Sequence, residues 1–156
     1  MSKQKVDERI ICTNKKARYN YVINETIEAG IVLKGSEVKS LRDGRANLKD
    51  SYGRIDHGEA FLVNAHISDY KPAYYFKPDP NRRRKLLLHK REVMRLMGKT
   101  REQGLTLVPL QLYFKKGRVK VELALAKGKR TYDKRAAIRE REMKRDVERA
   151  MNQRRG

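Results

Sequence analysis

The sequence predicts a mainly β fold: a closed or nearly closed barrel of short strands, carrying two small helices and followed by a basic tail of different character. Three observations predict it. Apolar and polar residues alternate through much of residues 10–126. Before residue 129 only 35–44 and 89–104 space their apolar residues at the three- and four-residue intervals of a helix. From residue 129 onward apolar content thins while charge stays dense. At 156 residues the chain has about one domain's worth of length.

The first eight residues are polar and are expected to fray. Ile10-Ile11-Cys12 reads as a short strand. Residues 14–23 start basic and pass into a strand, with Tyr19, Tyr21 and Ile23 alternating against Asn20, Val22 and Asn24. The strand resumes at Ile31-Val32-Leu33. Residues 35–44 read as a short helix: Ser36 can cap it, Val38 and Leu41 share a face, and Gly44 can end it in the left-handed region. Asp56-His57-Gly58-Glu59 looks like a turn between Tyr52/Ile55 and the alternating Phe61, Val63, Ala65 and Ile67.

Residues 68–85 hold Pro72, Pro78 and Pro80 together with Tyr70, Tyr74, Tyr75 and Phe76, and end in a charge run. They read as a long loop. Residues 89–104 form the best helix: Val93, Leu96, Met97 and Thr100 make one stripe, and Gly104 stops it. Residues 105–114 and 118–126 are two alternating strands with Lys115-Lys116-Gly117 as their hairpin turn. Pro109 lacks an N–H for a ladder, so it marks an edge or a bulge. Such a pattern allows an oligonucleotide-binding barrel without fixing its topology.

The tail differs. Its 28 residues carry 11 Lys+Arg and 5 acids. On a helical wheel Ala136, Met143, Val147 and Ala150 align, Met151 lies close by, and Ile138 points away. A stripe this narrow buries too little to hold a helix on the body. The tail is therefore expected to be disordered when free and helical when docked.

Charge narrows the partners. The chain has 39 Lys+Arg against 19 Asp+Glu, a net charge of +20. Self-repulsion at that level opposes the compact state, so the charge points to a polyanion, nucleic acid foremost. A membrane reader would need a basic helix with a wide aromatic apolar face, and the chain has no Trp. No run approaches the roughly 18 apolar residues of a membrane span, and the N-terminus has no apolar leader core. The lone Cys12 fits a reducing cytoplasm.

Three basic clusters stand out: Lys15, Lys16 and Arg18; Arg82-Arg83-Arg84-Lys85; and the tail. Tyrosines flank the first two, and cations for phosphates beside rings for stacking suit single-stranded or looped RNA. Tyr21 and Tyr113 alternate with polar residues and read as strand core. Four adjacent cations at 82–85 repel one another unless an anion joins them. Glu28, amid basic residues, can accept from a base edge or form a simple salt bridge, and both readings stay open. His57, His66 and His89 lie far apart, no Gly-rich phosphate loop is present, and Asp50, Asp56, Glu59 and Asp69 read as solvating acids. No catalytic residue, metal or cofactor is expected.

The segments NKKARYNYVI (14–23), GIVLKGSEVKSLRDGRANLKDSY (30–52), RKLLLHKRE (84–92), GLTLVPLQLYFKKGRVKVELALAKGKR (104–130) and YDKRAAIRERE (132–142) resemble the SsrA-binding protein family, also called small protein B. The resemblance runs from about Ile10 to Met151. It implies a six-stranded oligonucleotide-binding barrel with about three flanking helices over residues 1–128, and a tail over 129–156 that is disordered when free and helical on the ribosome. It implies a monomeric RNA-binding adaptor that binds the tRNA-like domain of transfer-messenger RNA. The adaptor delivers that RNA to stalled ribosomes for trans-translation.

By position the resemblance puts Asn14, Lys15, Lys16, Arg18 and Glu28 on the RNA-contacting face, with Arg84, Lys85, Leu87, His89, Lys90, Lys127 and Lys129. It gives Tyr132 a stacking role at the decoding centre beside Asp133, Lys134 and Arg135. The tail, with Ile138, Met143 and Met151, would then follow the message channel along small-subunit RNA. Three departures occur: the Asn-His pair frequent before Asp79-Pro80 is missing, Tyr132 replaces a frequent His, and Ala150-Met151 stands for a bulkier pair.

Overall fold

The computed structural model describes residues 9–69, 78–129 and 131–155, with only the backbone described at 131–134, 136–137 and 153–155. The order of elements is β1 (Arg9–Thr13), α1 (Ala17–Asn20), β2 (Tyr21–Ile31), α2 (Gly35–Arg42), β3 (Ala46–Asn47), β4 (Tyr52–Asp56), β5 (Glu59–Val63), β6 (His66–Ile67), β7 (Arg84–Leu87), α3 (Lys90–Glu102), β8 (Thr106–Lys115), β9 (Arg118–Gly128) and α4 (Thr131–Arg155).

Six strands pair antiparallel in a ring that runs β8–β4–β5–β7–β2–β9 and returns to β8. The expected six strands are therefore the ring, and among the described residues three more stand outside it. β1 pairs with β8, and β3 pairs with β6 as a separate ribbon. The ring closes at one Cα pair between β4 and β8, Gly53 opposite Leu107. A Cβ at Gly53 would stand 2.7 Å from the Leu107 Cβ, so glycine is what lets these backbones approach.

Local chemistry sets the turns. Lys116 and Gly117 have φ of 51° and 76°, and His57 and Gly58 have φ of 50° and 76°. Both are two-residue connections with consecutive positive φ, which match strand twist. Pro109 sits at a register shift between β8 and β9, inside the sheet and buried, so it marks a bulge and not an edge. β9 turns Val119, Val121, Leu123 and Leu125 inward, all buried. The α3 stripe docks through Leu96 on Leu105, Leu107 and Leu125, covering one end of the ring.

Four expectations change. Tyr19 lies in the single turn α1 and not in a strand. The cap of α2 is Lys34, whose N–H donates to Glu37 Oε1 at 2.9 Å, and not Ser36. The stretch read as one loop over 68–85 ends in strand β7. Beyond the two small helices that apolar spacing predicts, α1 and the tail helix α4 are helical among the described residues. The tyrosine-rich part at 70–77 and residues 1–8, expected to fray, lie outside the described residues. Among the described residues no helix is long and apolar enough to cross a membrane.

Candidate nucleic-acid interface

The candidate interface lies on the outer faces of β2, β7, β8 and β9. α1 covers part of that face, packing Ala17 on Val108, Leu110, Ala124 and Ala126 with Tyr21 and Ile23 beside them. The uncovered part follows from register. Glu28 lies opposite Glu122, which lies opposite Gln111. In the next row Leu87 is opposite Gly30, Gly30 opposite Lys120, Lys120 opposite Tyr113, and Tyr113 opposite Ile10. Leu87 can lie flat over this row because Gly30 has no side chain: a Cβ there would meet the Leu87 Cβ at 3.1 Å.

The β1–α1 corner borders these rows. Asn14 holds it, donating from its backbone N–H to Leu110 O at 2.7 Å and from Nδ2 to Pro109 O at 2.9 Å. Lys15 and Arg18 then share a recess of about 420 Å³ with Asn14, Gln111 and Glu122. A larger cleft of about 640 Å³ opens on the other side of Lys15 and Lys16, toward Asn47 and Tyr52. Folding thus joins Asn14, Lys15, Arg18, Glu28 and Leu87 on one surface, although 73 positions separate Asn14 from Leu87.

Glu28 accepts hydrogen bonds from Tyr113 Oη and, at 3.2 Å, from Lys115 Nζ. The Tyr113 hydroxyl holds its carboxyl below the usual carboxylate range, burial opposes this, and Lys115 and Lys120 add to the lowering. Tyr113 is therefore not strand core. It stands on the outer face and orients Glu28. Tyr21 does pack against the apolar cluster under α1.

The arginine run changes role. Arg84 is fully buried, donating from Nε to Glu37 Oε2 at 2.7 Å, from Nη1 to Ala65 O at 2.8 Å and from Nη2 to Pro80 O at 2.9 Å. Arg82 donates to both oxygens of the same carboxylate. Arg83 lies 3.9 Å over the Phe61 ring and pairs with Asp56 at 3.3 Å. Lys85 pairs with Glu59 at 3.3 Å, both half-exposed. The run therefore needs no external anion, and Arg84 is withdrawn from the RNA-contacting set. It builds the floor on which Lys85 and Leu87 point outward. The alternation Arg84 and Leu86 inward, Lys85 and Leu87 outward was the sequence signal for this strand, hidden by the charge run.

His89 caps α3, its backbone N–H donating to Glu92 Oε1 at 3.2 Å, and exposes its ring next to the exposed Lys90. Both follow Leu87 on the α3 side of the ring. Lys127 is exposed at the other end of β9, opposite Val22, and Lys129 ties its N–H to Asn20 O at 2.8 Å. In α4, Arg135, Ile138, Met143 and Met151 are exposed, while the side chains of Tyr132, Asp133 and Lys134 lie outside the described residues. Met143, Val147 and Met151 form an exposed apolar stripe at four-residue spacing. Ile138 does stand apart from it, on the side that meets α1. There the Arg141 guanidinium lies 5.4 Å over the Tyr19 ring. Cys12 packs against the core, and burial pushes its thiol up to about 11, so it is held as the neutral thiol.

The comparisons agree on one family. The SmpB protein family matches residues 11–153. The chain is 59% identical over 145 residues to the SsrA-binding protein of Sulfurihydrogenibium sp. (strain YO3AOP1), covering 93% of this chain and 95% of that one. It is 60% identical over 139 residues to the SsrA-binding protein of Persephonella marina (strain DSM 14350 / EX-H1), covering 89% and 91%. A solved chain from "tmRNA-SmpB: a journey to the center of the bacterial ribosome" shares 50% identity at a TM-score of 0.66, covering 82% of this chain and 94% of that one. With matches spanning nearly the whole length, the chain belongs to the SmpB family of SsrA-binding proteins.

Proposed function

We propose that this chain is a non-enzymatic adaptor that binds the tRNA-like domain of transfer-messenger RNA and delivers it to stalled ribosomes for trans-translation, so that the nascent chain is tagged and the ribosome released. One observation carries the RNA half: Lys15 and Arg18 border the same outer surface that presents Glu28 and Leu87. Cations there meet phosphates, the oriented Glu28 carboxylate accepts from a base edge, and Leu87 offers an apolar contact. Lys16, Lys85, His89, Lys90, Lys127 and Lys129 widen the footprint from the flanks. Family membership supports the choice of RNA.

Residues 1–128 are the RNA-binding body and 129–156 the ribosome-directed tail. α4 exposes nearly every described side chain, so its order must come from a partner surface. Small-subunit RNA at the decoding centre and along the message channel is that surface. Tyr132 stacks there, with Asp133, Lys134 and Arg135 beside it, and Met143 and Met151 add apolar contacts further on. The protein works as a cytoplasmic monomer without cofactor or metal. Pull-down of the tagged protein from bacterial lysate, followed by RNA sequencing, tests this. One dominant structured RNA is expected, whereas bulk ribosomal RNA alone would leave only a general RNA binder.

A further inference from the structure

The recess between α1 and α4 carries chemistry that the outer face does not use. Its volume is about 360 Å³. Lys15 and Lys16 line one wall, Arg141 and Arg145 the other, and Tyr19 and Ile138 lie between them. One acid, Glu142, also reaches it. Among the described residues none of the four cations forms an ion pair, although seven pairs of Lys or Arg with an acid occur elsewhere. The Arg141–Tyr19 contact is a cation–π pair at an exposed site, a small attraction. Facing like charges oppose it. Two lysines against two arginines on separate elements stay together best with an anion between them.

We propose that this recess is a phosphate site, in which a phosphodiester of a bound RNA strand bridges Lys15 and Lys16 of the body to Arg141 and Arg145 of the tail. This rests on the reading that Lys15 and Lys16 face RNA. The guanidinium groups offer planar pairs of donors to phosphate oxygens, and the ammonium groups act as compact point charges. A recess of this volume holds a nucleotide-sized group. Tyr19 is placed to lie under the sugar or base next to that phosphate. The consequence is mechanical: RNA on the body fixes the tail helix against α1, so the tail has a defined direction before it meets any ribosome.

The test uses the full chain with 13C-labelled tyrosine, the Tyr19 ring signal being assigned with Tyr19→Phe. One titration uses sodium tripolyphosphate at constant ionic strength, and another uses a transcript of the tRNA-like domain, with its binding also followed by gel shift. The Tyr19 signal is expected to shift saturably with both. Arg141→Ala/Arg145→Ala should raise the half-saturating tripolyphosphate concentration about tenfold or more, given the strength of charge-assisted contacts. Arg139→Ala/Lys144→Ala removes the same charge from residues that do not line the recess, and should change it less than about threefold. Equal losses in the two double variants, or no saturable shift, overturn the site. A transcript that binds in the gel without moving Tyr19 overturns the RNA bridge, and a response to tripolyphosphate alone then assigns the recess to free polyphosphate. A transcript that fails to bind in the gel, with the tripolyphosphate response intact, supports the anion site and overturns the RNA reading of the outer face.

Discussion

Arg84 and Glu37 are joined by an Nε–Oε2 hydrogen bond of 2.7 Å in a setting where the two side chains are 0% and 2% exposed. They are 47 positions apart in the chain. Glu37 also accepts from Arg82 and from the Lys34 N–H that starts α2. One carboxylate thus fastens α2, the start of β7 and the segment before it. Removing it leaves the Arg84 guanidinium buried with only carbonyl partners. Glu37→Gln should therefore cost about 3–5 kcal/mol, the usual loss when a buried pair is broken on one side. Thermal and urea unfolding measure this, and a change within ~1 kcal/mol would show that the pair is dispensable.

The same carboxylate sets an acid limit. Burial opposes its charged form, but hydrogen bonds from Arg82, the Lys34 N–H and Arg84 outweigh that and hold it below the usual range. A folded-state pKa below the unfolded value means that the unfolded state binds more protons. The stabilisation is complete above about pH 4.3, the free Glu value, and is lost as pH falls through the folded value. Melting of the wild type should drop in that acid window. In Glu37→Gln the drop should be shallower, and identical slopes would remove Glu37 from the acid transition.

Glu28 gives a test of the interface. Its carboxylate is aligned by Tyr113 and Lys115 on the outer face. Glu59 is about as exposed but pairs with Lys85 instead. We expect Glu28→Ala to weaken binding of the tRNA-like domain by about 1–3 kcal/mol, the scale of one good base-edge contact. Glu59→Ala should leave affinity within about twofold, as for a surface pair. Equal affinities for the two variants in a filter-binding assay would take Glu28 out of the site.

Ring closure offers a structural test away from the interface. Gly53 meets Leu107 where β4 and β8 touch, and a Cβ there would stand against the Leu107 Cβ, which the backbone fixes, and not against a flexible side-chain end. Gly53→Ala is expected to cost about 1–3 kcal/mol by overpacking. Unfolding in urea checks it, and a stabilised variant would mean that the ring relaxes there freely.

Local chemistry made much of this readable. The β8–β9 hairpin, the Pro109 bulge, the α3 stripe and the Gly44 stop each depend on a few consecutive residues. What failed depended on distant partners. β7 was obscured because its inward Arg84 looks like surface charge until Glu37 is placed beside it. α1 escaped because a single turn with one buried residue, Ala17, has no period to detect. At the interface, composition and resemblance pointed to Asn14–Arg18 and to Glu28. Their union with Leu87 needed the strand register around Gly30.

The sharpest separation concerns the tail. β9 ends at Gly128, and the last described backbone tie to the body before α4 is the Lys129 N–H on Asn20 O. Beyond it the helix touches the body near Tyr19 while Met143, Val147 and Met151 stay more than half exposed. Ordering that helix costs ~1–2 kcal/mol per residue of backbone, which so small a contact does not offset. A polyanionic channel can offset it through Arg135, Arg139, Arg141 and Lys144, while the apolar stripe meets the remaining wall. On the proposed function, a message already in the channel would exclude the helix, and docking would report an empty channel. A chain ending at Gly128 should bind the tRNA-like domain within about tenfold of the full chain, because it loses Lys129 and the Arg141–Arg145 side of the α1–α4 recess but keeps the outer face of the body. It should fail to support tagging in a reconstituted assay on stalled ribosomes. Replacing Asp133, Lys134 and Arg135 together with Ala should do the same at full length. If tagging survives the truncation, α4 serves only solubility. If RNA binding collapses together with tagging, the tail belongs to the main RNA site, and the division between body and tail is wrong.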